Sequence, residues 1–171
     1  MALPDKIFLI GMPGCGKTTL GQQLAAEINY PFIDLDDEIE NSEERSIPQI
    51  FEEIGEGYFR RIEAERLRSV TKQHEMFVMA CGGGTPCFHD NMKFINENGL
   101  SIYLKAEIPL LVKRMQASEI DKRPLVKESA SNLETLLIDK LSKRSRFYNS
   151  AEITIKADSS TEELMDKIFT R

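Results

Sequence analysis

Apolar positions along the chain fall into two rhythms. Runs at 7–10, 31–35, 76–80, 100–104 and 152–155 are short, and the first, third and fourth are continuously apolar, the pattern of strands buried on both faces. Between them apolar residues recur at helical spacing, as in TTLGQQLAAEI at 18–28. Strands alternating with helical segments predict a parallel sheet covered by helices, an α/β fold. Helix starts carry their own chemistry. Ser46 with Gln49, Ser131 with Glu134 and Ser160 with Glu163 each match a capping box, and Pro48 suits a first helical turn.

Composition narrows the class without choosing a function. The chain has 171 residues, 41% hydrophobic and 29% charged, enough for one domain with its own core. No apolar run approaches the roughly 20 residues of a membrane span, and the N-terminus lacks the basic and apolar regions of a secretory signal. A cytoplasmic protein with no membrane partner is expected. The net charge of −6 argues against a nucleic-acid partner, which needs a basic face. Cys15, Cys81 and Cys87 lack metal-ligand spacing and are expected to be reduced packing residues. His74 and His89 are read as surface residues.

The strongest local signal is GMPGCGKT at 11–18, directly after the strand KIFLI and directly before a helical pattern. This is the G-x-x-x-x-G-K-[ST] phosphate loop, whose glycines let backbone N–H groups wrap a polyphosphate at a helix N-terminus. Gly14, Cys15, Gly16, Lys17, Thr18 and Thr19 are the expected nucleotide contacts. Lys17 would reach the β- and γ-phosphates and Thr18 would hold Mg²⁺. A glycine-rich turn with a surface lysine is the competing reading, and the spacing and flanks disfavour it.

Five carboxylates crowd FIDLDDEIE: Asp34, Asp36, Asp37, Glu38 and Glu40. If the strand runs on through 35, its alternation sends Asp34 and Asp36 to the same side, at the sheet edge where α/β proteins bind ligands. One carboxylate near Mg²⁺ can hold a metal-bound water; one near a hydroxyl can accept its proton. The alternative for both is a turn and helix N-cap. Asp37, Glu38 and Glu40 are expected to solvate the following helix. Two further stretches draw notice. Arg60 has Glu63 three positions on, close enough to orient its guanidinium, although a solvated Arg/Glu face would look the same. Gly82, Gly83 and Gly84 end the third strand, where a ligand could approach bare backbone or the chain could simply turn.

The P-loop, FIDLD, SIPQIFEEIGEGYFRRIE, CGGG, DKRPL and KRSRFY, in this order and spacing, resemble the shikimate kinase family over essentially the whole chain. The resemblance implies a three-layer P-loop fold in one domain, with a central five-stranded parallel sheet flanked by helices. It also implies a substrate-binding helical region at about 34–63 and a mobile lid at about 118–131. ATP and shikimate would be the substrates, Mg²⁺ the cofactor, and the product shikimate 3-phosphate, with the chain acting as a monomer. Asp34 would contact Mg²⁺ through water, and Asp36 would bind the ring hydroxyls and act as base. Arg60 and Arg144 would grip the substrate carboxylate, with Arg146 a competitor for the second place. Gly82, Gly83 and Gly84 would line the substrate, Arg123 would close on the ATP phosphates as a catalytic group beside Lys17 and Asp36, and Arg114 would pack on adenine near a loop ending at Ser160. That loop lacks a proline sometimes found in the family, and Cys81 stands where threonine is common. A gluconate or nucleotide kinase on the same scaffold, or a P-loop protein that binds nucleotide without turnover, are the alternatives.

Overall fold

The computed structural model describes residues 3–122 and 130–171. Its centre is β1, Lys6–Ile10, whose Ile7, Phe8, Leu9 and Ile10 are all fully buried. Helix α1, Lys17–Ile28, follows, then β2, Phe32–Asp34, and α2, Leu35–Glu43. Helices α3, Ile47–Glu53, and α4, Glu56–Gln73, lead into β3, Phe77–Ala80. A single 3₁₀ turn, Thr85–Cys87, precedes α5, Asn91–Asn98, and β4, Leu100–Lys105. The chain closes with α6, Ile108–Lys122, α7, Ala130–Tyr148, β5, Ile153–Lys156, and α8, Thr161–Phe169.

The five strands form one all-parallel sheet in the order β2-β3-β1-β4-β5. Continuous apolar runs in β1, β3 and β4 are buried because helices cover both faces. The chain moves from β1 towards β2 on one side and later to β4 on the other, so the carboxyl end of β1 is a topological switch point. Crevices for ligands open at such points.

Two boundaries differ from expectation, for a local reason in one case. The second strand stops at Asp34 instead of running through 35, because Asp34 is the N-cap of α2: its Oδ1 accepts the N–H of Asp36 at 3.0 Å. A carboxylate that satisfies an orphan N–H of the first turn favours helix over further strand. The capping boxes at Ser46 and Ser160 are both formed, whereas α7 is already helical at Ala130, one residue before Ser131. Positions 118–122 of the expected lid belong to the end of α6; the rest of it up to 129, with Arg123, lies outside the described residues.

Candidate active site

The loop from β1 to α1 owes its shape to backbone conformation. Gly14 and Gly16 have φ of 80° and 98°, left-handed values that a side chain would strain. Helix α1 then starts with no side-chain cap, and its first residues, Lys17, Thr18 and Thr19, line a cleft of about 860 Å³. Uncapped N–H groups and a positive dipole end suit an anion there. Lys17 is only 8% exposed. Its Nζ donates to the carbonyls of Gly11 at 2.9 Å and Met12 at 3.0 Å and lies 3.7 Å from Cys15 Sγ. The lysine is thus part of the loop's own bonding. Cys15 is buried beneath the loop, and its carbonyl accepts from Arg114 Nη1 at 2.9 Å. Arg114, on α6, lines the same cleft opposite Ala157, Asp158 and Ser159. Ser160 does not line it: its hydroxyl accepts the Glu163 N–H at 3.2 Å and its own N–H donates to Glu163 Oε2 at 3.3 Å.

Across the cleft, Asp34 serves two groups at once. While Oδ1 caps α2, Oδ2 accepts the Thr18 hydroxyl at 3.0 Å. Thr18 Oγ1 and Asp34 Oδ2 are hard oxygen donors beside the phosphate cradle, the kind Mg²⁺ takes when waters and phosphate oxygens fill its other positions. Asp36 sits in the first turn of α2. It faces the cleft because that turn is pinned, not because strand side chains alternate. Burial, then the neighbouring charges of Asp34 and Glu63, push the Asp36 carboxyl up to about 6, with Lys17 opposing them. Of the other acids, Asp37 is exposed, but Glu40 is half-buried and accepts the Ile47 N–H at 2.7 Å, so it ties α2 to α3 instead of solvating a surface.

A smaller chamber of about 400 Å³ adjoins the cleft, and the two share Pro13, Asp36, Gly82 and Gly83. Arg60 and Arg144 line it. Arg60 is 9% exposed, its Nη1 on Glu63 Oε2 at 2.9 Å, its Nε and Nη2 each 3.2 Å from Glu56 Oε1, and its guanidinium 4.4 Å from the Phe88 ring centre. Arg144 offers a contrast. Its Nη1 is the buried side-chain nitrogen without a hydrogen-bond partner among the described residues. Arg146 is exposed, with its guanidinium over the Phe147 ring.

The triple glycine makes this packing possible. A Cβ on Gly84 would lie 2.6 Å from both terminal nitrogens of Arg60, one on Gly83 would lie 2.6 Å from Pro13 Cδ and 3.0 Å from Arg144 Nη1, and one on Gly82 would lie 3.1 Å from Asp36 Oδ1. The space left by the missing side chains is filled by the protein's own site groups. Three contributors lie inside the motifs but are given no role by them. Pro13 joins the P-loop to Gly83; Tyr148, fully buried and stacked on Tyr103, donates its hydroxyl to the Gly83 carbonyl; Glu40 holds the helical corner. Tyr148 closes the KRSRFY stretch one helical turn beyond Arg144, and that placement is the signal by which it could have been found.

A phosphate loop at the switch point, a carboxylate pair across from it and a cationic chamber alongside define a P-loop kinase. The shikimate kinase family model matches residues 13–171. A shikimate kinase of Azobacteroides pseudotrichonymphae is 43% identical over 169 residues, covering 95% of this chain and 99% of that protein. The crystal structure of shikimate kinase from Bacteroides thetaiotaomicron superposes with a TM-score of 0.90 at 34% identity, covering 97% of this chain and 99% of that one. Shikimate kinase from Acinetobacter baumannii, solved in complex with shikimate, gives 0.83 at 34% identity over 99% and 92%. The chain belongs to the shikimate kinase family.

Proposed function

We propose that this protein transfers the γ-phosphoryl of ATP to the 3-hydroxyl of shikimate, giving shikimate 3-phosphate and ADP. The observation that carries this reading is the pair of chambers meeting at Asp36, one floored by the phosphate loop, the other holding Arg60 and an Arg144 whose buried Nη1 has no hydrogen-bond partner among the described residues. A buried guanidinium nitrogen left unpaired is costly, and a ligand carboxylate would supply its acceptor. A hydroxyl of a neutral sugar could accept one bond but would not balance the guanidinium charge.

In this reading the loop amides and Lys17 hold the phosphates of ATP, with Arg114 bracing the loop and flanking the base beside 157–159. Arg60 and Arg144 grip the carboxylate at one end of shikimate, and Gly82, Gly83 and Gly84 form the wall behind it. That grip fixes the ring so that the hydroxyl to be phosphorylated lies at Asp36, whose carboxylate accepts its proton and aims the oxygen along the line of attack. Thr18 and, through water, Asp34 would hold Mg²⁺, which when bound neutralises charge on the transferring phosphate. Arg123 is assigned to the ATP phosphates, and 118–131 to a lid, on the family resemblance alone. A monomer acting in the cytoplasm belongs to the same proposal. ADP release with shikimate, gluconate, AMP and CMP offered in parallel tests the assignment; turnover with any of the others in preference to shikimate overturns it.

A further inference from the structure

The strap from the triple glycine to α5 is tied to α4 by a run of buried polar contacts with no part in the chemistry above. Glu63, Thr85 and Asn91 are each fully buried. Glu63 Oε1 accepts the Thr85 hydroxyl at 2.6 Å, which leaves Oε2 to hold Arg60 Nη1 at 2.9 Å. The Thr85 carbonyl accepts from Asn91 Nδ2 at 2.9 Å, and Asn91 Oδ1 accepts from Arg68 Nη1 at 2.7 Å. Arg68 returns to α4 through the Ala64 carbonyl at 3.0 Å and holds the strap at the His89 carbonyl, 2.8 Å away. The contacts therefore run from the half-buried Arg68 to the wall of the smaller chamber, with Arg60 at the end that meets ligand.

A buried carboxylate between an arginine and a hydroxyl has few alternative poses, because every other direction leaves an oxygen unpaired. The backbone adds a second constraint. Thr85 N–H donates to the Gly82 carbonyl at 3.1 Å, and a Cβ on Gly82 would lie 3.0 Å from Thr85 Oγ1 and 3.1 Å from Glu63 Oε1. The threonine hydroxyl is thus seated against the same glycine that borders Asp36. We infer that Thr85 is a positioning residue for substrate binding: through Glu63 it sets the angle of the Arg60 guanidinium towards the substrate carboxylate, and Asn91 and Arg68 fix Thr85 in turn. This rests on the reading of Arg60 as a carboxylate ligand.

The test compares Thr85→Val with Thr85→Ser in the full chain, using shikimate and its neutral carboxamide. Valine keeps the shape and removes the donor to Glu63. KM for shikimate should rise about tenfold, the size of one hydrogen bond to a charged group, while KM for ATP stays within about twofold and the preference for acid over amide shrinks by a similar factor. Serine should restore the KM for shikimate and the preference for the acid. A lower melting temperature with an unchanged acid-over-amide preference would show that Thr85 only packs, and would overturn the proposal. Should the valine variant not fold, Arg68→Gln at the outer end of the run decides the matter. A weakened preference for the acid supports the positioning role; an unaltered one overturns it. Failure of the underlying reading is told apart in the parent enzyme, which would then bind acid and amide equally well.

Discussion

Asp36 shows how function and stability pull apart at one residue. Its carboxyl is raised to about 6 by burial first and by Asp34 and Glu63 next, so the folded chain holds that proton more tightly than the unfolded chain does. Between the ordinary carboxylate range and pH 6 the unfolded state has released the proton and the folded state has not. Stability therefore falls as pH rises through this window and stays lower above it. Asp36→Asn, which never ionises, should be more stable than the parent at pH 7.5 by about 1–3 kcal/mol and no more stable at pH 4. Denaturant melts of the nucleotide-free protein at the two pH values measure this, and an equal difference at both would remove Asp36 as its source. The same variant should lose kcat heavily, since an amide is a poor proton acceptor. Lys17 carries the opposite lesson. A lysine at the mouth of a phosphate loop reads as an extended arm, but here its ammonium bonds two loop carbonyls and is 8% exposed. Lys17→Met should cost about 1–2 kcal/mol of stability as well as 10²-fold or more in kcat. A full melt with turnover intact would contradict both parts.

At the scale of elements, the corner between β2 and α2 was legible in its parts but not in its geometry. FIDLD contains both the strand ending and the cap, and a ligand-facing pair by strand alternation competes there with a turn and helix N-cap. Only the hydrogen bond from Asp36 N–H to Asp34 chooses between them, and a single sequence does not encode which competing local bond is made. Glu40 was unreadable for a related reason: its partner, the Ile47 N–H, begins a different helix. The triple glycine is the reverse case, plain in the sequence yet open in meaning. Close approach explains it, because Arg60 lies where a Gly84 Cβ would stand, and the Gly84 φ of −94° is one that alanine adopts freely. Gly84→Ala should therefore displace the guanidinium without straining the backbone. KM for shikimate should rise tenfold or more, on the order of one lost charge-assisted contact, with KM for ATP nearly unchanged. Equal changes in both would mean that the strap as a whole had shifted.

Across the whole molecule, the sheet was readable because burial on both faces writes itself as unbroken apolar runs, and the phosphate loop because its spacing is rigid. What joins the two chambers was not readable, since Pro13, Gly83 and Tyr148 meet from three distant parts of the chain. Their meeting makes the chambers neighbours that share a wall yet hold different ligands. Each ligand should then stabilise the fold on its own, by about 2.7 kcal/mol at one hundred times its dissociation constant, roughly 5–10 °C for a domain of this size. Arg144→Ala should abolish the shift from shikimate while keeping the shift from ADP. Lys17→Met should do the converse. Because Arg144 Nη1 finds no hydrogen-bond partner among the described residues, its removal should leave the melting temperature of the ligand-free protein unchanged or higher, the mark of a group held in place for a ligand and not for the fold. Scanning fluorimetry of the parent and both variants with each ligand separately measures all of this. A shikimate shift that survives in Arg144→Ala, or an ADP shift lost with it, would mean that the carboxylate is held elsewhere or that the two chambers do not act as separate sites.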